Sequence, residues 1–384
     1  MRRITWMLAI VICLTVVVAG CGKKDAGSVV KDLEHVVGKL DSYQGEGRMV
    51  LQTGSQPQEY QVEVWYLNPN FYRISLTNEQ KDITQIVLRN EEGVFVLTPH
   101  LKKSFRFQSD WPDNQGQVYL YQSLVQSILK DKERQFTTDN EAYVFDVMAN
   151  YQNELLQRQK IWLNKKSLAP QHVEVSDTNQ NVLVKVDFTT FEFGKKFEKE
   201  AFGMEHNMTS WNMQTLPTLA NADGTIPNDA TKSVANKDAG TKGVKDAATS
   251  TSGKDGTSVK ATETKQGTAA KPASFGVIEP SYIPKDVVKQ DITEMKLGED
   301  PAVLLRYKGK YNYSLLEVRP QSKTVSMLPG DIVDLGYTLG VLTGEEKKTL
   351  TWTYDGVEYR LSTADLPMSE MMQIAQAVQG QSGK

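Results

Sequence analysis

Cysteine is the scarcest resource of this 384-residue chain: there are two, Cys13 and Cys21. With no thiol after residue 21, a disulfide framework is excluded and so is a thiolate metal site, and stability has to come from burial. Histidine is nearly as rare. The four, His35, His100, His172 and His206, are scattered, with no i,i+4 pair and no cysteine beside them, which excludes the usual zinc spacings. An excess of one charge is missing as well. Lys and Arg number 44 against 47 Asp and Glu, a net charge of -3, and this near balance gives no electrostatic footprint for nucleic acid. No G-x-S-x-G, P-loop or G-x-G-x-x-G occurs in a strand-to-helix context that would support it. The acidic pairs are plain by comparison. Glu91-Glu92 reads as a solvated turn, and Asp331 and Asp334 flank Ile332-Val333 at a turn or strand entry after Pro329-Gly330. These absences predict a protein that is not an enzyme and holds neither metal nor dissociable cofactor.

What is present begins at the N-terminus. Arg2 and Arg3 precede an uncharged run from Ile4 to Ala19. A spanning helix needs about 20 apolar residues; this run is shorter and ends in small residues, as a cleaved secretory signal does. The tetrad Val18-Ala19-Gly20-Cys21 resembles the bacterial lipobox. An ordinary signal peptide and an uncleaved anchor are the plainer alternatives. The lipobox resemblance implies cleavage between Gly20 and Cys21 and a diacylglycerol, with a possible further N-acyl chain, on Cys21. One acyl chain gives marginal, reversible membrane binding and two give a stable anchor. The expectation is a signal peptide over 1–20, a tether over 21–27 and a chain held on the extracytoplasmic face of the cell membrane.

Further along, composition divides the chain. Between about Leu216 and Ser274 the chain has almost no large apolar side chain, and such a segment cannot offset its ordering entropy by burial, so the linker is expected over 209–273. It reads as flexible, with a random-coil span of about 40 Å. Before it, Val30, Leu33, Val37 and Leu40 recur at helical spacing, predicting a helix over roughly 28–41. Alternating strands follow, among them the run from Tyr60 to Tyr66 and the segments FYRISL, ITQIVLR, GVFVLT and KSFRFQ. Tyr121, Leu124, Val125 and Ile128 mark a second helix. Strands then resume with YVFDVMA, LLQRQKIWL, PQHVEVS and VLVKVDF. Short connections argue for an antiparallel meander, with the two helices as cover for one face. After the linker, 274–384 reads as a small α+β domain: four strands, an Asp355-Gly356 hairpin turn, and a closing helix on Met371, Ile374, Ala375 and Val378. Met368, Met371 and Met372 read as helix core, or as an adaptable docking surface.

Helix, long meander, mid-chain helix and more strands over 28–208 resemble the LolA/LolB-like lipoprotein-carrier fold. The segments GEGRMVLQ, EVWYLNPNFYRISL and NEEGVFVLTPHLKKSFRF carry the resemblance, and Tyr66 to Arg73 is its most characteristic piece. Together with the lipobox and the C-terminal FGVIEPSYIP, WTYDGVEY and LPMSEMMQIA, the chain is similar to the YdcC-type sporulation lipoproteins of spore-forming bacilli. The resemblance implies an incomplete antiparallel barrel whose concave apolar face, capped by helices, holds acyl chains. In such carriers an arginine directly before the proline of the Pro–Asn segment helps latch the lid. Asn68 stands in that place here, so the open-and-close cycle of the carriers does not transfer. On this reading Trp65, Tyr66, Phe71 and Tyr72 form a wall or mouth for acyl chains or a partner segment, against the alternative of barrel core and rim. Arg48 and Arg73 would contact headgroups at that mouth. The expected partners are the membrane, through the anchor, and a lipid, a lipoprotein or a protein of spore envelope or cortex assembly. The alternative is a protein-interaction scaffold with a closed barrel, its second domain reaching out on the linker.

Overall fold

A computed structural model describes residues 24–52, 56–108, 117–139, 141–151, 156–209, 276–327 and 329–379. The expected signal, Cys21 and all of the expected linker beyond Thr209 lie outside the described residues.

Helix α1 spans Ala26–Gly38 and starts where Asp25 caps it, the carboxylate accepting from the Ser28 N–H at 2.8 Å. Such a cap satisfies one of the helix's orphan donors. Val29, Val30 and Leu33 are its buried stripe. The helix ends at Gly38, three residues before the sequence pattern predicts, and Leu40 is buried from a non-helical position.

The first sheet is built from β1 (Ser42–Leu51), β2 (Gln58–Leu67), β3 (Phe71–Asn78), β4 (Ile83–Asn90), β5 (Gly93–Thr98) and β6 (Lys103–Phe107) on one side. Helix α2 (Tyr121–Lys130) follows, then β7 (Gln135–Thr138), β8 (Ala142–Met148), β9 (Arg158–Asn164), β10 (Pro170–Ser176) and β11 (Val182–Phe193). Pairing runs β6-β5-β4-β3-β2-β1-β11-β10-β9-β8-β7, antiparallel throughout and open at both ends. The expected open half-barrel with helical cover is therefore the fold. Strand alternation gives each face its own core. Tyr43, Met49, Tyr60, Val62, Val64, Ile74 and Leu76 face inward with the helices, and α1 and α2 pack on each other. Phe71, Ile86, Leu88, Phe95 and Leu97 form a second, smaller core on the outer face. It is covered by Phe197, by Phe202 in the 3-10 turn Lys199–Phe202, and by the short helix α3 (Met204–Thr209).

The second sheet is also antiparallel. β12 (Val287–Leu297), β13 (Asp300–Gly309) and β14 (Tyr313–Val318) run next to β19 (Val357–Thr363), β18 (Lys348–Tyr354), β17 (Leu339–Thr343) and β16 (Asp331–Asp334). Its core holds Leu305, Leu315, Leu350, Trp352, Tyr359 and Leu361 with Met371, Met372, Ile374 and Val378 of α4 (Met368–Val378). Met371 and Met372 have no exposed surface, so they are helix core and present no docking surface.

The second domain does not stand apart from the first. Residues 24–209 and 276–379 share one continuous core. β15 (Thr324–Ser326) leaves the second domain to pair in parallel with β6, becoming the twelfth strand of the first sheet. Gln85 Nε2 donates to Thr353 O at 3.3 Å, and the Tyr60 hydroxyl donates to Gln379 Oε1. The expectation of a domain searching for partners on a long leash is corrected by this docking.

Candidate functional site

The characteristic segment Tyr66 to Arg73 runs from β2 through the Asn68-Pro69-Asn70 turn into β3, and strand parity decides where each side chain goes. Tyr66 pairs with Tyr72 and also with Tyr43 of β1, so all three share the inner face. Trp65 pairs with Arg73 and Leu67 with Phe71, on the outer face. The four aromatics expected to form one wall are thus split between two sites.

On the inner face they join a larger ladder. Tyr72 and Tyr66 lie 5.0 Å apart, Tyr66 and Tyr43 5.3 Å, and Tyr43 stacks on Phe191 at 5.0 Å between ring centroids. Phe193 and Tyr121 complete the group, each within 6 Å of Phe191. Offset and edge-on arrangements at such distances are the favourable ones for aromatic rings. The Tyr43 hydroxyl donates to Gln122 Oε1 at 3.0 Å and accepts from the Tyr121 N–H at 3.3 Å, which pins the start of α2 to the sheet. The Tyr66 hydroxyl turns to the β2–β3 turn, reaching Pro69 O at 3.3 Å. Burial pushes the Tyr43 and Tyr121 hydroxyls well above the ordinary tyrosine range, so they remain protonated hydrogen-bonding groups. Tyr43 and Tyr121 have no exposed surface, whereas Tyr72, Phe188, Phe191 and Phe193 are only half-buried. The ladder therefore has a packed floor and an accessible apolar edge.

The outer site is closed. Arg73 is 7% exposed, its guanidinium 4.4 Å above the Trp65 ring. It donates to Glu63 Oε2 at 2.7 Å and to Asn207 Oδ1 of α3 at 2.6 Å. Trp65 stacks on Phe197 at 5.2 Å, and Phe71 meets Phe202 at 5.7 Å. Asn207 is itself held by Ala201 O and Gly203 O. Arg73 is a latch for the covering segment and has no surface for a headgroup, which corrects the expected role. Arg48 lies on the outer face of β1, exposed and paired with Glu59, away from the inner ladder.

Among the described residues no group of three or more His, Cys, Asp or Glu is placed to hold a metal ion, and no helix is long and apolar enough to cross a membrane. Asp331 and Asp334 bound β16, and the Asp334 carboxylate accepts from the Gly336 N–H at 2.7 Å, a turn cap.

Residues 1–202 match the family model described as sporulation protein YdcC-like. Over 386 aligned residues, 99% of this chain and 97% of the relative, the sequence is 37% identical to sporulation protein YdcC of Bacillus subtilis strain 168. The chain belongs to the YdcC-like sporulation protein family. Among solved structures it is similar to the MucA/MucB complex of Pseudomonas aeruginosa, at 12% identity and a TM-score of 0.30 over 92% of this chain and 98% of that one. It is also similar to the LolA superfamily protein NE2245 from Nitrosomonas europaea, at 12% identity and a TM-score of 0.27 over 48% of this chain and 100% of that one.

In this YdcC-like chain the ladder residues that sequence reasoning missed are Tyr43, Tyr121, Phe191 and Phe193. Phe188 and Phe191 are three apart, which breaks strand alternation and hides them. The register shift opposite Glu46/Gly47 restores it: Phe188 pairs with Gly47 and Phe191 with Gly45, leaving Thr189 as the bulged residue. The Thr189 hydroxyl donates to Glu46 O at 3.1 Å.

Proposed function

We propose that this sporulation protein is a lipoprotein anchored through Cys21 on the outer face of the cell membrane, and that it works by binding and not by catalysis. Its contact surface on this reading is the half-buried edge of the aromatic ladder, and its ligand is an acyl chain or an apolar segment of a spore-envelope partner. The observation that carries the reading is the ladder itself: stacked rings on the concave face, accessible along Tyr72, Phe188, Phe191 and Phe193. The spacing to the anchor supports it. Four residues separate Cys21 from Ala26 at the start of α1, a reach of about 15 Å at full extension. A lipid on Cys21 would keep the half-barrel at the bilayer surface.

The test is to purify the full chain from membranes in neutral detergent and analyse lipid that is carried non-covalently, for the wild type and for a Tyr72→Ser/Phe191→Ser variant. Stoichiometric lipid in the wild type and its loss in the variant support the acyl version; a wild type without lipid sinks it. The second reading, a scaffold for an envelope protein, has its own support. At the other end of the concave face Leu51 packs beside Gly336, and Tyr60 bonds Gln379, so the second domain fills that end. A protein partner retained by the wild type, without lipid and lost on the same substitutions, favours the scaffold.

A further inference from the structure

At the end of β3 remote from the ladder, the two domains leave a cleft of about 820 Å³ between the β3–β4 turn, the 3-10 turn Pro99–Leu101 and the β18–β19 hairpin. Four basic side chains line it, from separate segments: Lys81, His100, Lys103 and Arg319. Lys103 Nζ donates to Gly356 O at 3.0 Å and Lys81 Nζ to Gln379 O, so each ammonium group is bonded to a neutral carbonyl. Burial lowers both lysines below their usual range; two carboxylates, Asp82 and Asp355, also line the cleft, and Asp355 acts on both lysines. Asp355 is also engaged by His100 at 3.0 Å. A partly desolvated ammonium group bonded to a carbonyl, as Lys81 and Lys103 are, is costly unless a counter-charge arrives. The cleft also holds a neutral polar group. The Tyr359 hydroxyl is buried and makes no hydrogen bond, and Tyr359 lines the same cleft.

We propose that this cleft binds a phosphate ester, with Lys81, Lys103 and Arg319 as the charge set and the Tyr359 hydroxyl as a neutral donor. Ammonium groups serve as point charges for phosphate oxygens and a guanidinium offers a planar fork, so several oxygens are met from different sides. The volume is far larger than a lone oxyanion needs and lies in the range of organic ligands. Ile83, Leu101, Ile278 and Val357 supply an apolar wall for the organic part. A phospholipid headgroup and a water-soluble phosphate ester share this chemistry. The proposal is independent of the ladder, which lies about 20 Å away along β3 at the usual strand rise.

The experiment titrates the full chain, in maltoside micelles, with dihexanoyl phosphatidylglycerol, dihexanoylglycerol and glycerol 3-phosphate, following heat of binding. The phosphate-bearing lipid is expected to bind at least about tenfold tighter than the phosphate-free one, and the difference should shrink with salt. Glycerol 3-phosphate binding as tightly as the lipid identifies a soluble ester as the source; binding of the lipid alone identifies a headgroup. Lys81→Gln/Lys103→Gln should abolish the preference. Because both lysines also tie the domains together, Tyr359→Phe is the cleaner probe. It removes a hydroxyl with no partner, so melting is unchanged or raised while phosphate affinity falls about threefold to tenfold. A wild type indifferent to phosphate overturns the proposal, and so does a Tyr359→Phe chain that binds as the wild type does.

Discussion

Glu317 carries the clearest consequence of burial for a single residue. It has no exposed surface, and both carboxylate oxygens accept from the Ile278 N–H at 3.2 and 3.1 Å. Burial pushes its carboxyl from 4.5 up to about 7, against the opposing pull of that N–H and of Arg319. The native state therefore holds this proton where the unfolded chain has released it. Stability falls as pH rises from about 4.5 to about 7, and is level above that window, with a slope of at most about 1.4 kcal/mol per pH unit. Glu317→Gln keeps an acceptor for Ile278 and should flatten this dependence, which urea titrations at pH 5, 6, 7 and 8 would show; parallel profiles for the two chains would refute the assignment. Arg73 and Arg48 make a second contrast. Arg73→Ala takes the buried guanidinium from over Trp65 and leaves Asn207 Oδ1 without its donor, and should cost about 2–4 kcal/mol, whereas Arg48→Ala breaks a fully exposed pair and should leave melting nearly unchanged. Thermal or denaturant melts of both variants decide it, and equal losses would contradict the latch. The sequence presents the two arginines alike, near aromatics on neighbouring strands. What separates them is Asn207, 134 residues after Arg73, a partner no local pattern announces.

Elements with one buried face were legible, because alternation of apolar and polar residues is written into them. β2, with Tyr60, Val62, Val64 and Tyr66 inward, is such a strand. β12 was not, for the opposite reason: nearly every residue from Val288 to Leu297 is exposed, so neither face imposes a pattern. The aromatic ladder was half legible, Tyr66 and Tyr72 standing in a regular strand while Phe191 and Phe193 sit beyond a bulge. That bulge rests on a close approach. A Cβ at Gly47 would lie 2.4 Å from the Asp187 carbonyl oxygen, backbone that has no rotamer to relieve the clash. Gly47→Ala should accordingly destabilise the chain by about 2 kcal/mol or more and weaken the near-ultraviolet circular dichroism of the stacked rings. Gly38→Ala, at the end of α1 with nothing within 4 Å, should be neutral or gain up to about 1 kcal/mol. If Gly47→Ala melts with Gly38→Ala, the bulge does not hold the ladder.

For the molecule as a whole, the composition break between about Leu216 and Ser274 pointed to two domains and carried no information on whether they touch. The polar docking contacts are each single and distant in sequence: Gln85 to Thr353, His100 to Asp355, Ser104 to Thr324. The Asp355-Gly356 tip, both residues left-handed at φ 48° and 71°, is recognisable as a hairpin, yet nothing local says that it is wedged against the first domain. A Cβ on Gly356 would lie 2.4 Å from Leu101 Cδ1. The shared core and the strand given by β15 to β6 make the two domains one cooperative body, and buried contacts of that kind outlast the covalent connection. A protease site placed within 215–274 of the full chain should, after complete cleavage, leave two fragments that co-elute in gel filtration at micromolar concentration and melt in a single transition. Gly356→Val adds a branched side chain at a left-handed position against Leu101; it should let the cleaved fragments separate while each keeps its own strand content by circular dichroism. Fragments that part immediately on cleavage of the unsubstituted chain would return the second domain to an independent, tethered role, and would remove the cleft between the domains with it.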